Sequence, residues 1–296
     1  MTLAQHPIGA LMAGLIDYAG LFPPAGLSMH DAVRAYDDYR HSDRSWALGR
    51  FVVPCTRLRE FTEQIALLPE RGAAWSLSVL GDAADQETIA RFNDGNDGNE
   101  RYAVIEAVEV KASSTEEIHA LVPLAAHYEV YAEVPISDDP LPLIAAIAAH
   151  PPLRAKIRTG GVTAEAFPGR MQVVRFLAAC AAHDVPFKAT AGLHHPLRGD
   201  YRLTYDRGSA HATMFGFLNL FVAAILLRSG LSEADAALVL DDRDLRAFIF
   251  DDHGVSWHGH RLHTSTIHTA RKQFATAFGS CSFIEPMDDL HSMGLL

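Results

Sequence analysis

The feature that most narrows the fold of this chain is an alternation of short β-rich runs with stretches that carry helix-start chemistry. Candidate strands fall at 49–54, 75–80, 103–111, 129–136, 154–160 and 186–192, with an earlier one over 15–22 and an eighth near 276–283. Between them, Ser28-Met29-His30-Asp31, Ser113-Ser114-Thr115-Glu116-Glu117, Thr163-Ala164-Glu165 and Ser232-Glu233-Ala234-Asp235 each pair a capping oxygen with acids that suit a helix N-terminus. Strand–helix repetition is the pattern of a parallel sheet. Six or seven units in a row predict an α/β fold of the (β/α)8 TIM-barrel type, with a doubly wound open sheet as the alternative. The 296 residues fit one barrel domain over 1–296. Residues 196–275 break the rhythm and are expected to form a helical, His-rich insertion before the last strand.

Composition bounds the function. With 36 acidic against 25 basic side chains, phosphate-backbone binding is not expected, so nucleic acid is set aside as a partner. The apolar run 214–227 contains Asn219 and is too short to span a bilayer comfortably; it suits a buried helix or a subunit interface, which keeps a homo-oligomer open. The N-terminus lacks a basic segment and a small-residue cleavage site, and no membrane partner is expected. Cys55, Cys180 and Cys281 are odd in number and widely spaced, which favours a reducing, cytoplasmic location. No Walker A, GxGxxG or GxSxG pattern is present. The expected partner is a small-molecule substrate, with no cofactor.

Lysine usage points to the chemistry. Of the 25 basic residues only four are lysine: Lys111, Lys156, Lys188 and Lys272. An amine can lose its proton when desolvated or crowded by positive charge and then attack a carbonyl; a guanidinium cannot. Three of the four lysines fall in predicted strands, where lysine is normally depleted. Strand parity places Lys156 and Arg158 on one face, and Lys188 and Thr190 on one face opposite Phe187, Ala189 and Ala191. In 103–111, Val104, Val108 and Val110 are expected outside and Ile105, Ala107, Glu109 and Lys111 inside, with Glu106 breaking the pattern. In 129–135, Tyr131 and Glu133 are expected inside. The barrel mouth would then hold Lys111, Lys156, Lys188, Arg158, Glu109 and Glu133. Lys188 and Arg158 would crowd Lys156 toward its neutral form, and Glu109 or Glu133 would move protons. An ion-pair network that merely fills the barrel is the alternative reading of the same residues.

The segments Lys156-Ile157-Arg158-Thr159-Gly160-Gly161 and Phe187-Lys188-Ala189-Thr190-Ala191-Gly192 resemble those of deoxyribose-phosphate aldolase and related Schiff-base aldolases, which carry K-x-x-T-G and F/V-K-x-x-G-G turns after strands six and seven. The two lysines are 32 residues apart, room for one helix, as in that family. Phe278-Gly279-Ser280-Cys281-Ser282 is similar to the family's F-G-x-S-S turn, which cradles substrate phosphate. The resemblance covers roughly residues 100–195 and a few near 280. It implies an aldolase-like lyase in which Lys156 forms the imine, Lys188 lowers its pKa and Glu109 (or Glu106) stands where the family has an aspartate. Arg158, Lys111, Thr190, Gly279, Ser280 and Ser282 would bind an anionic carbonyl substrate. Leu193-His194-His195-Pro196 departs from the family's R-T, and the insertion has no counterpart, so the substrate is expected to differ.

Three further readings stay open. His194 and His195 follow a strand end and could bind substrate, or could hold a catalytic metal with Glu133 and an insertion histidine (His253, His258, His260, His263 or His268), giving a metal-dependent lyase, isomerase or hydrolase. Asp17, interrupting an apolar run, either reaches the mouth or belongs to a turn. A barrel that binds a small ligand without turnover is the third. The turn-rich loop 93–99 matches no EF-hand spacing.

Overall fold

The computed structural model describes residues 6–68, 73–95 and 102–296. The first seven strands are β1 (Ile16–Tyr18), β2 (Leu48–Pro54), β3 (Trp75–Leu80), β4 (Ala103–Lys111), β5 (Glu129–Glu133), β6 (Leu153–Arg158) and β7 (Phe187–Thr190). An insertion then carries a hairpin, β8 (Gly199–Arg202) and β9 (His211–Met214), and a three-stranded antiparallel sheet, β10 (Phe248–Asp251), β11 (Gly254–Trp257) and β12 (His260–His263). The last strand, β13 (Ala275–Ser280), pairs in parallel with both β7 and β1 and so closes an eight-stranded barrel. The chain is thus a closed (β/α)8 barrel, as the alternation predicts.

Outward side chains make the core. Phe187 on β7 packs between Phe176 of the helix Arg170–Ala182 and Phe221 of the helix Phe217–Arg228, which also covers Phe278 of β13. That second helix is the predicted apolar run. Its Asn219 is wholly buried, and the amide is fully used: it donates to Val239 O and Asp242 O and accepts from the Arg198 backbone N–H. Among the described residues, no helix is long and apolar enough to cross a membrane.

Several sequence expectations need correction. The insertion is not simply helical: its His-rich stretch forms β10–β12, with His258 and His260 packed on Trp257. The helix expected at Thr163 is only the 3-10 turn Ala164–Ala166; Pro168 follows, and the α-helix starts after Gly169. Ser28, Ser114 and Ser232 do cap helices as expected. Glu106 departs from parity because β4 is bulged there: Leu77 pairs with Ile105 and Ser78 with Ala107, leaving Glu106 without a partner on β3. It therefore joins Arg50 and Ser76 at the N-terminal end of the barrel, away from the lysines. Part of the turn-rich loop 93–99, from residue 96 on, lies outside the described residues.

Candidate active site

Period-two alternation sends two polar columns into the barrel. On β6 it carries Arg154, Lys156 and Arg158, and on β5 Glu129, Tyr131 and Glu133, each column running from the N-terminal to the C-terminal end. Register then decides which side chains meet. Glu133 lies opposite Lys156, and Lys156 opposite Lys188.

The result is a continuous buried network. Lys156 Nζ is 2.6 Å from Glu109 Oε2 and 2.6 Å from Glu133 Oε2. Lys188 Nζ is 2.6 Å from Glu109 Oε1 and 2.5 Å from Asp17 Oδ2. Ser78 Oγ donates to Glu109 Oε1 at 2.6 Å, and Arg158 Nε donates to Glu133 Oε1 at 3.0 Å. Asp17 Oδ1 accepts the Arg50 backbone N–H at 2.8 Å. Both lysine side chains are at most 2% exposed. Three carboxylates (Asp17, Glu109, Glu133) face three cations (Lys156, Lys188, Arg158), so the network is neutral with every group ionised.

This arrangement changes how the lysines act on each other. Glu109 stands between them, so Lys188 does not confront Lys156 as a bare like charge. Burial pushes Lys188 down, but the Asp17 and Glu109 carboxylates outweigh it and hold the amine well above the usual lysine value. Burial alone would raise Glu109; the two ammonium groups hold it well below the usual carboxylate range. Glu133 is shifted down against its own desolvation by Lys156 and Arg158.

A cavity of about 260 Å³ opens over this network at the C-terminal end of the strands. Lys156 and Glu109 reach it from below, and Arg158, Thr190, Gly279, His194 and Cys281 line its wall. The rim depends on two glycine turns. A Cβ on Gly160 would fall 2.9 Å from Gly192 Cα, and one on Gly192 would fall 2.7 Å from the Phe167 ring. Gly192 also has φ +72°. Thr159 Oγ1 donates to Ala191 O at 2.7 Å and ties the two turns together. A larger bowl, about 520 Å³, lies at the opposite end of the barrel. Its arginines already have partners: Arg40 donates to Ala73 O, Arg50 pairs with Glu106 and Glu129, Arg154 with Glu129, and Arg271 caps backbone carbonyls of Leu11 and Thr276. The smaller cavity, with an amine and a carboxylate at its floor, is the candidate site.

The structure brings together Lys156, Lys188, Glu109, Glu133, Arg158, Asp17, Thr190, Gly279 and His194. It leaves out the rest. Lys111 ends β4 exposed to solvent and does not line the cavity. Neither Ser280 nor Ser282 lines the cavity; their hydroxyls accept from the backbone N–H of Ser282 and of Glu285 at the start of the helix Ile284–Ser292. His195 turns away to Asp289, 2.7 Å distant, and stacks on Tyr201. Both histidines face Glu285, His194 at 3.3 Å and His195 at 3.8 Å, and neither is paired with Glu133. Among the described residues, no group of three or more His, Cys, Asp or Glu side chains could hold a metal ion.

Two features escaped the sequence reading. Ser78 was legible from the alternation in Trp75-Ser76-Leu77-Ser78, which puts both serines on one face. The contact of Cys281 with His194 had no local signal. Searches against protein-family models, curated proteins and solved structures found nothing that matches this chain.

Proposed function

We propose that this protein is a lyase of the Schiff-base aldolase type, acting on a small carbonyl compound that carries an anionic group. The observation that carries this reading is Lys156: a buried primary amine at the floor of a cavity, with a carboxylate 2.6 Å away on either side. An amine with adjacent proton acceptors is what imine formation and hydrolysis require. The lysine-bearing strands β6 and β7 with the glycine turns after them, which resemble those of deoxyribose-phosphate aldolase, agree with it.

Imine formation needs the neutral amine, so the Lys156 proton needs an acceptor. Arg158 supplies a release. It is half exposed, lines the cavity and bonds Glu133. When Arg158 turns to an anionic substrate group, Glu133 loses a cation, becomes more basic and takes the Lys156 proton. The freed amine attacks the carbonyl carbon, and Glu133 returns the proton to the departing hydroxyl as water leaves. Glu109, pinned between two ammonium groups, stays ionised and stabilises the cationic iminium. In the retro direction the iminium accepts the electrons of the breaking carbon–carbon bond. The network without Lys156's reactivity would be a structural plug; the cavity above it favours the catalytic reading.

The test is borohydride trapping with acetaldehyde, pyruvate and dihydroxyacetone phosphate, followed by peptide mass spectrometry. A reduced adduct on Lys156, absent in Lys156→Arg and weakened for the anionic probes in Arg158→Gln, is the expected result. No adduct on Lys156 with any probe ends this reading.

A further inference from the structure

Beside the lysine network, the same cavity wall holds a second set of reactive groups that the proposed reaction does not use. Cys281 follows β13 and lines the cavity, as does His194 from the turn after β7. Cys281 Sγ lies 4.0 Å from His194 Nδ1 and 3.6 Å from the Tyr205 hydroxyl. His194 Nδ1 is 3.3 Å from Glu285 Oε2, which also accepts from Tyr205 at 3.3 Å. Thiol, imidazole, carboxylate and phenol thus converge from three segments, with Cys281 and Glu285 on the connection from β13 into the helix Ile284–Ser292. All three cysteines are buried, and Cys55 and Cys180 line no part of this cavity.

We propose that Cys281 is a modification site: a nucleophilic thiol, activated by His194, whose Nδ1 faces both the sulfur and Glu285, that reacts with hydrogen peroxide entering the cavity. In the step, Cys281 sulfur attacks one peroxide oxygen; the S–O bond forms as the O–O bond breaks. His194 gives its proton to the departing hydroxide, which leaves as water, and Cys281 becomes a sulfenic acid. Two equivalents of a small thiol reverse it, giving a disulfide of that thiol and water. The added oxygen projects into the cavity that Lys156 also faces, so the modification narrows access to the amine.

The electrostatics agree with the geometry. Burial pushes the Cys281 thiol up, but His194, Tyr205 and the Ala25 backbone amide overcome this and hold it below the ordinary thiol value. His194, which burial would lower, is pushed up to about 9 by Cys281 and Glu285. Tyr18 also acts on the sulfur, and its own hydroxyl is shifted upward chiefly by burial. Cys55 is pushed up to about 12 by burial and Asp85, and Cys180 is raised by burial alone, so both serve as internal controls.

This inference does not rest on the aldolase reading, and its test reads the thiol directly. The intact protein is alkylated with iodoacetamide from pH 5 to 10, and each cysteine is followed by peptide mass spectrometry. Cys281 should react with a midpoint clearly below the ~8.5 of a free thiol. In His194→Asn its rate at pH 6.5 should fall about tenfold or more while the plateau at high pH is kept. Glu285→Gln should move the midpoint the same way by less. Hydrogen peroxide with dimedone should label Cys281 and neither control cysteine. A midpoint at or above the free-thiol value, a midpoint unmoved in both variants, or no dimedone adduct at Cys281 overturns the proposal.

Discussion

Replacing Lys188 by methionine tests whether the barrel interior is held by charge balance. Lys188 is 1% exposed and touches two carboxylates, Asp17 and Glu109, at 2.5 and 2.6 Å. At an effective dielectric of about 20, each contact is worth roughly 6 kcal/mol of attraction, offset by several kcal/mol of desolvation per ion. The loss that matters comes from what stays behind. Lys188→Met leaves three carboxylates facing two cations, with Asp17 keeping only the Arg50 N–H and Glu109 keeping Lys156 and Ser78. Breaking such a buried pair costs about 3–5 kcal/mol. At about 2.1 cal/mol/K of unfolding entropy per residue, that corresponds to a Tm lower by roughly 5–8 °C in a chain of this length. The assay is urea unfolding of both proteins with linear extrapolation. Lys188→Met combined with Asp17→Asn restores neutrality and should recover part of the loss, with a coupling of at least ~1 kcal/mol. A single-variant loss under ~1 kcal/mol, or a double variant equal to the sum of the singles, refutes the charge-balance argument.

Other outcomes follow from the same geometry. Because Glu109 and Glu133 are shifted down, their stabilisation is complete above the unfolded glutamate value of ~4.3 and is lost as pH falls through the lower folded values. Stability measured from pH 7 to 3 should therefore drop below about pH 4.3, less steeply in Glu109→Gln. His194 is shifted the other way, so its contribution is complete below ~6.5 and disappears as pH rises through about 9; His194→Asn should remove that decline. Gly192→Ala places a methyl against the Phe167 ring at positive φ and should cost about 2 kcal/mol or more by urea titration. Asn219→Leu takes away the partner of the Arg198 N–H and of the Asp242 carbonyl, while Val239 O keeps the Asp242 N–H, and a loss of about 2 kcal/mol or more is expected; a neutral result would mean that the Arg198 and Asp242 groups find other partners.

The sequence by itself determined the barrel and the direction of its key side chains. Alternating strand and helix signals leave few ways to pair parallel strands, and period-two spacing puts Lys156 with Arg158, and Lys188 with Thr190, on the inner face whatever their partners. The bounds 75–80 and 103–111 are also those of the strands observed. What the tertiary structure decided is which charges meet. Asp17 and Lys188 are 171 residues apart and touch only because β13 closes the barrel between β1 and β7. The interposed Glu109, the bulge that diverts Glu106, the outward end of Lys111 and the meeting of Cys281 with His194 all depend on inter-strand register or on loops folding over the mouth. Local periodicity fixes the face on which a side chain stands; only closure of the sheet fixes its height in the barrel and the partner opposite, and there the chemistry is set.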